Sequence, residues 1–454
     1  MDIALKLAEV SPGHTMTEPL LSRDHAWLVK VKTNIFPPVL ITISATFGWA
    51  VRGQAGFGAI PGCVFAGTLI AMAWFYLSTR KQDGGTRPYC SGWTILAIML
   101  GIGINGMHGW SQYGSWVQGF FNYDSLTINP VYGYGWWFVA SVPWGATGAV
   151  FLSWTRVDQK TSSRLWCLRF IFGGAGVLIA MALFFALPSW FLPYYGTVPY
   201  GDENACHDCV DTYNHNLASM IFMGFYLGFL AFEIWRKNWE NAKLIAIVGL
   251  CTGIGWMAFQ FWMFAGRWFP GVAFNWWRCW ELSAGFSIGI GYSIAFMVCN
   301  KQSATVAANA KHEHPNAERF IGTFLAIVIG LVYAITGGIE GAYVIYDDPA
   351  NSVLPQVIVD ACIAIASMIV IVITWIQQVK RQKGAPVETN HDIFAWLYPA
   401  MLSAFFVIGL VITDFLSSPS ERDFFIFYCV MWTIDIFICV MYMKTMHSVK
   451  QCGA

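Results

Sequence analysis

The fold is decided by long uncharged stretches such as residues 57–78, which read FGAIPGCVFAGTLIAMAWFYLS. A helix needs about 20 consecutive apolar residues to cross a hydrocarbon core about 30 Å thick. Lipid offers no hydrogen-bond partner to the backbone, so a stretch of this kind crosses a bilayer as a helix. Residues 57–78 therefore predict a transmembrane α-helix.

Working outward from this stretch, eleven further segments have a similar length and apolar character. The predicted spans are 33–51, 57–78, 92–109, 132–154, 165–187, 215–235, 243–265, 278–299, 320–344, 354–376, 394–415 and 424–444. We therefore predict an all-α polytopic membrane bundle of about 12 transmembrane helices. One transmembrane domain, 33–444, would lie between cytoplasmic segments at 1–32 and 445–454.

The composition supports a chain surrounded by a lipid bilayer. Of its 454 residues, 56% are hydrophobic and 11% are charged, with a mean hydropathy of +0.52. A soluble domain carries about 25% charged residues, so the soluble and disordered classes are excluded. The 26 basic and 26 acidic residues balance, which gives no support to a nucleic-acid partner.

The basic residues predict the orientation of the spans. With a cytoplasmic N-terminus, only four of the 26 basic residues fall outside, namely Arg52, Arg267, Arg278 and Arg422. This bias follows the positive-inside rule and predicts that both termini are cytoplasmic. The expected location is a cell membrane crossed many times, with a bacterial inner membrane favoured.

Two pairs of spans have similar sequences. Gly101-Ile-Gly-Ile in the third span matches Gly253-Ile-Gly-Trp in the seventh. Trp136-Trp137 with Gly145 matches Trp276-Trp277 with Gly285 at the same spacing, in the fourth and eighth spans. A parallel repeat of spans 3–4 and 7–8 is one interpretation. The other is chance similarity in a chain rich in Gly and Trp.

Polar residues at membrane depth are costly and usually face the bundle interior or a wet cavity. In the predicted spans they gather towards the outer side. The candidate binding residues are Arg52, Gln54, Asn105, His108, Gln112, Gln260, Arg278, Glu281 and Glu340. Glu281, Glu340 and Asp360 are also candidates for carrying a coupled proton, because poor solvation disfavours an ionised carboxylate.

Each of these residues has a structural alternative. Arg52 and Arg278 could extend to the interface as isolated cations. Arg278 and Glu281 are three residues apart and could form a local ion pair. His108 could be a buried core histidine, and Gln112 and Gln260 could only bridge helices.

Tryptophans accompany the outer polar residues, and we add Trp110 and Trp277 to the candidate binding set. An interfacial aromatic belt explains part of this enrichment, although a belt should be equally rich on the inner side. Aromatic faces beside Arg, Glu, Gln and Asn suit a sugar-like or glycan ligand, or an organic anion held by the arginines.

The outer loop contains Cys206 and Cys209 next to His207, Asp208 and His215. The cysteines could form a disulfide, remain free thiols, or bind zinc with these neighbours. A single C-x-x-C lacks the second ligand pair of a structural zinc site. There is no Walker loop, no G-x-S-x-G elbow and no H-E-x-x-H motif, so we predict no cofactor and no metal.

The stretch Gly48-Trp-Ala-Val-Arg-Gly-Gln-Ala-Gly56, followed by Ile60-Pro-Gly62, resembles a pattern in uncharacterised multi-span bacterial membrane proteins. Their pattern is G-W-x-[IV]-R-G-[NQ]-x-G followed by I-P-G, and the likeness covers the first two spans. Phe57 and Gly58 stand where an acidic residue or histidine is expected. The resemblance implies no activity and draws attention to Arg52 and Gln54.

Two functions from different classes remain open. The first is a secondary transporter that binds a small polar solute, a sugar or an organic anion, in an outward-facing polar and aromatic cavity. The second is an integral-membrane enzyme of the glycoside hydrolase or transferase type at the outer leaflet. In the second case Glu281 and Glu340 are the catalytic pair.

Overall fold

The structure is a computed structural model that describes residues 30–53, 60–79, 85–105, 110–121, 123–159, 161–272, 274–310 and 419–452, and a few positions among 322–333 and 402–403. Within these residues the regular elements are helices, and β structure is limited to isolated bridges. Predicted spans 354–376, 394–415 and most of 320–344 lie outside them.

The described helices follow the chain in this order: α1 Phe36–Arg52, α2 Ile60–Ser78, α3 Thr94–Asn105, α4 Trp110–Val117, α5 Pro130–Ser153, α6 Ser163–Ala186, α7 Pro188–Phe191, α8 His207–Trp235, α9 Trp239–Ala258, α10 Trp262–Trp268, α11 Trp276–Cys299, α12 Ala304–Asn309 and α13 Pro419–Cys452. A 3₁₀ turn, Phe259–Phe261, joins α9 to α10. Side chains cap several first turns: Asn129 accepts from Val131 N, and Ser162 accepts from Leu165 N.

Among the described helices, five are long and apolar enough to cross a membrane: Ile60–Ser78, Ser163–Ala186, His207–Trp235, Trp239–Trp268 and Trp276–Cys299. The all-helical prediction is confirmed for this part of the chain. Two bounds differ from the predicted spans. Helix α8 begins at His207 rather than at residue 215, and the region 243–265 contains the end of α9. Hydropathy detects the apolar portion of a helix and not its caps or interruptions.

Within the described part of the chain, six helices form a closed ring of contacts in the order α1, α2, α3, α5, α9, α11 and back to α1. Large side chains fill the interior of this ring; Trp49, Trp74, Trp144, Trp256 and Tyr292 are each at most 2% exposed. Helices α6 and α8 pair with each other outside the ring, and α8 lies against α5. Helix α13 packs on α1, also from outside. The ring is therefore a packed core rather than an open pore.

Glycines set the distance between the paired helices α6 and α8. A Cβ atom at Gly176 would lie 2.1 Å from the carbonyl oxygen of Gly224, and one at Gly224 would lie 2.4 Å from that of Gly176. Gly174 lies two residues earlier in α6, and a Cβ atom there would have nothing within 4 Å. Small residues at such positions let helix backbones approach closely inside a bilayer.

Gly176→Ala is expected to destabilise the protein, because the added methyl group must push the backbones of α6 and α8 apart. Overpacking costs about 1–3 kcal/mol, more than the gain in helix propensity of about 1 kcal/mol. Gly174→Ala has the same propensity gain without the clash and should be neutral or mildly stabilising. Thermal unfolding in detergent measures both, and equal midpoints for the two variants would contradict this packing.

Candidate functional site

Three charged side chains meet where the end of α1 lies beside the start of α11. Arg52 Nη1 is 3.7 Å from Glu281 Oε1. Arg278, one turn before Glu281, donates a hydrogen bond from Nη1 to the carbonyl oxygen of Ala50. Arg52 and Arg278 are each 2% exposed and Glu281 is 1% exposed. All three charges are thus enclosed by protein.

Close packing of α1 on α11 brings these charges together. A Cβ atom at Gly285 would lie 2.6 Å from the carbonyl oxygen of Ala45 on α1. At Gly53, directly after Arg52, a Cβ atom would lie 2.7 Å from Cγ of Glu281. The two glycines leave the space in which the Glu281 side chain passes the end of α1. A side chain at position 53 would displace this carboxylate from Arg52.

A cage of tryptophans surrounds the charged group. We use the name tryptophan cage for Trp49, Trp137, Trp144, Trp256 and Trp280, which come from four helices of the ring and are each at most 1% exposed. Their ring centroids form a continuous set of contacts, from 4.6 Å for Trp144 with Trp256 to 6.2 Å for Trp49 with Trp144.

The cage touches the charges directly. The Arg52 guanidinium carbon lies 5.2 Å from the centroid of Trp49 and 5.9 Å from that of Trp144. An arginine over an indole face gains about 0.5–2 kcal/mol when it is desolvated. The Cys63 thiol of α2 also lies against Arg52. The guanidinium therefore has aromatic, thiol and carboxylate neighbours from four helices of the ring, its own included.

Several buried polar atoms of the cage have no hydrogen-bond partner among the described residues. They are Nε1 of Trp49, Trp137, Trp256 and Trp280, together with Oε2 of Glu281 and Oε1 of Gln260. An unsatisfied buried donor or acceptor costs about 1–3 kcal/mol, so native proteins rarely leave many of them in one place. The number of such atoms around one ion pair marks this region as a candidate binding site.

The other candidate residues lie at different distances from this group. Gln260 is fully buried and donates from Nε2 to Trp256 O at 2.8 Å, so it borders the cage. Asn105 donates from Nδ2 to Thr147 Oγ1 at 2.6 Å, one turn from Trp144. Trp277 stacks beside Trp280 at 4.7 Å. Gln112 is buried in α4.

Some predicted site residues lie outside what the structure describes. They are Gln54, His108, Glu340 and Asp360, together with the side chain of Trp110. Their proposed roles stay predictions.

Two of the structural alternatives can be compared with the geometry. Arg52 and Arg278 are buried, which does not fit cations extending to an interface. Glu281 has its ion pair with Arg52, on another helix, and not with its local neighbour Arg278. Cys206 and Cys209 form a disulfide, and the described residues contain no group of three or more potential metal ligands. The zinc alternative for this loop is therefore not favoured.

Most of the cage was not among the candidate residues. The sequence shows Trp137, Trp144, Trp256 and Trp280 only as part of an enrichment of tryptophan in outer segments. The spacing of Trp137 and Trp144, seven residues apart, is a stronger signal, because it puts both side chains on one face of a helix.

A second buried ion pair serves as an internal comparison. Arg169 Nη2 donates to Glu233 Oε1 at 3.0 Å, and both residues are 1% exposed. The other carboxylate oxygen accepts from Nδ2 of Asn238 at 2.7 Å and of Asn241 at 3.2 Å. Both oxygens of Glu233 are satisfied, whereas Oε2 of Glu281 is not. The two carboxylates therefore differ, although Nε and Nη1 of Arg169 also have no hydrogen-bond partner among the described residues.

Glu281→Ala is expected to destabilise the protein by about 3–5 kcal/mol, because it leaves buried arginine charge uncompensated. The double variant Arg52→Leu with Glu281→Leu should be less destabilised than Glu281→Ala. Glu240→Ala removes the exposed 3.1 Å pair with Lys243 and should cost about 0–1 kcal/mol. Denaturation in detergent measures all three; a Glu281→Ala effect as small as that of Glu240→Ala would contradict the buried pair.

The comparisons with known proteins give no independent guide to this site. No family model, no curated protein and no solved structure matches the chain. The interpretation of the site accordingly depends on the charge, burial and packing of this chain's own residues.

Proposed function

We propose that this protein is a secondary transporter that carries a small organic anion across a bacterial inner membrane. The observation that carries the proposal is the group formed by Arg52, Arg278 and Glu281 inside the tryptophan cage. Charged groups within a helical membrane bundle usually belong to the path of a substrate or an ion. The proposed topology has 12 spans with both termini in the cytoplasm.

The charged and donor groups around the cage favour an anion over a neutral sugar. Among the described residues, Arg52 and Arg278 lie close to one carboxylate, that of Glu281, and the buried atoms without a hydrogen bond include four indole N–H donors but two acceptors. The 3.7 Å separation of Arg52 from Glu281 exceeds the roughly 2.7–2.9 Å of a charge-assisted hydrogen bond. A solute carboxylate can therefore accept from the indole N–H donors close to the arginine charges while indole faces cover its carbon chain.

A change of helix type supports a binding site beside the cage. Helix α9 gives way to the 3₁₀ turn Phe259–Phe261, which contains the buried Gln260. Many transporters bind solute where a span is interrupted.

One pair of glycine contacts supports the proposed repeat. Gly145 of α5 packs on Thr252 of α9, the next helix of the ring, and its counterpart Gly285 of α11 packs on α1 in the same sense. The other pair differs, since Gly101 of α3 packs on Gly148 of α5 whereas its counterpart Gly253 of α9 packs on Val142, also of α5.

The opposite end of the ring is closed by a hydrogen-bonded seal around Tyr89. Its hydroxyl donates to Asn241 Oδ1 at 2.7 Å, and its backbone N–H donates to Asn300 Oδ1 at 3.1 Å. Asn300 in turn donates to Ser78 Oγ at 2.8 Å, and Trp74 Nε1 donates to Tyr89 O at 3.1 Å. The seal joins the ends of α2, α9 and α11. We propose that it opens towards the cytoplasm when the solute is released.

The enzyme alternative has less support from the site. A glycosidic acid must reach its substrate, whereas Glu281 is 1% exposed and enclosed beside Arg52 and Arg278. Its proposed partner Glu340 lies outside the described residues. Enzyme activity would show in the transport experiment as chemical conversion of the probe.

Proteoliposomes containing the protein should accumulate radiolabelled gluconate in preference to glucose, since gluconate is an anion with a carboxylate on the same six-carbon skeleton and glucose is uncharged. Arg278→Gln is expected to lower gluconate uptake about 10- to 100-fold, because a hydrogen bond to a charged group contributes about 1.5–3 kcal/mol. Glu233→Gln, a change at the other buried pair, should leave uptake per folded molecule near that of the parent.

Three results would contradict this proposal. The first is equal uptake of gluconate and glucose, and the second is unchanged uptake in Arg278→Gln. The third is chemical conversion of the probe without accumulation, which would identify an enzyme.

Tyr89→Phe is expected to weaken the inner seal, because it removes the hydroxyl donor to Asn241 and leaves the ring shape unchanged. The buried thiol of Cys299, at the same end of α11, should then react several-fold faster with a maleimide, as measured by peptide mass spectrometry. Tyr132→Phe removes a hydroxyl bond to Trp190 O at the other end and should not change this rate. Equal rates in parent and Tyr89→Phe would exclude the seal.

A further inference from the structure

Asp435 is a buried acidic residue outside the cage that has no ion pair among the described residues. Asp435 lies in α13, is 1% exposed, and has no hydrogen bond to either carboxylate oxygen among the described residues. It lies near the centre of the predicted span 424–444, where ionisable side chains are most costly. The other buried carboxylates that the structure describes, Glu233 and Glu281, each have an arginine beside them.

The neighbours of Asp435 come from α1 and α2. Aromatic contacts between Phe47 and Tyr428, 5.5 Å apart, and between Phe36 and Phe437, 6.2 Å apart, fix α13 on α1. Tyr76 of α2 donates from its hydroxyl to Cys439 O at 3.0 Å, one turn beyond Asp435. No described lysine, arginine or histidine forms an ion pair with Asp435.

Ser44 of α1 is the polar group that faces this carboxyl. It is fully buried and lies beside Asp435, yet its Oγ also lacks a hydrogen bond of good geometry. Two unsatisfied polar groups thus adjoin in an otherwise apolar helix contact. An ionised carboxylate in such a place would cost far more than a neutral one, because the described residues around it supply no cation and no polar side chain other than the Ser44 hydroxyl.

We propose that Asp435, together with Ser44, is a proton-binding site within the membrane. The carboxyl is protonated while α13 packs on α1, and it releases the proton to water when the two helices separate. Its proton is not shared with any charged neighbour on α1 or α2 among the described residues, so the contact itself determines whether the proton stays.

The position of Ser44 connects this site to the cage. Ser44 and Arg52 belong to the same helix, eight residues apart, which is about 12 Å along its axis. A change in the packing of α13 on α1 therefore moves the helix that carries Arg52. This coupling role depends on the proposed transport function, whereas the binding of a proton does not.

Infrared spectroscopy of the purified protein in lipid nanodiscs tests the proton site directly. The spectrum of the parent minus that of Asp435→Asn should contain the carbonyl stretch of one protonated carboxylic acid at neutral pH. Asp158→Asn, at a residue paired with Arg156 at 2.7 Å, serves as the control and should give no such band. An ionised-carboxylate band in the Asp435 difference spectrum at neutral pH would overturn the proposal.

Gluconate uptake driven by an inward proton gradient tests the coupling. The parent should be stimulated by the gradient, and Asp435→Asn should lose at least about tenfold of that stimulation while keeping exchange of labelled for unlabelled gluconate. Full stimulation in Asp435→Asn would overturn the coupling role. If the parent moved no gluconate, the transport proposal would fail, but the infrared band would still decide whether Asp435 binds a proton.

Discussion

The high cost of placing charge inside an apolar helical bundle constrains the whole described structure. Arg52, Arg278 and Glu281 are enclosed at 1–2% exposure, so each must be compensated by protein groups rather than by water. The ion pair, the carbonyl of Ala50 and the indole faces provide this compensation. The end of α1 must therefore stay against the start of α11.

Close helix packing makes this compensation possible. Gly53 and Gly285 remove the side chains that would separate α1 from α11, and the remaining contacts of the ring have similar glycine positions. Because lipid does not drive helices together by a hydrophobic effect, packing and interhelical polar contacts must hold them. Packed helices of this kind rearrange between a few discrete arrangements, and the break in α9 at Phe259–Phe261 suits such movement.

The three buried acidic side chains that the structure describes differ in how many of their carboxylate oxygens have a hydrogen bond. Glu233 has both oxygens bonded and functions as a structural pair with Arg169, whereas Glu281 has one oxygen unbonded and Asp435 has both unbonded. A sequence pattern placed Glu281 among the candidate residues because it follows Arg278 near a predicted outer end. It did not distinguish Asp435, although a lone acidic residue in the middle of a predicted span was a usable signal.

The sequence by itself determined the helical class and the apolar stretches that are long enough to span a membrane. These properties depend on the length of apolar runs and on local charge, which short stretches such as 57–78 contain in full. Only the tertiary structure decided which charged side chains contact each other. Arg52 and Glu281 are more than two hundred residues apart, and their contact arises because α1 closes the ring against α11. Pairing across such a separation depends on how whole helices pack, and no local pattern in the chain encodes it.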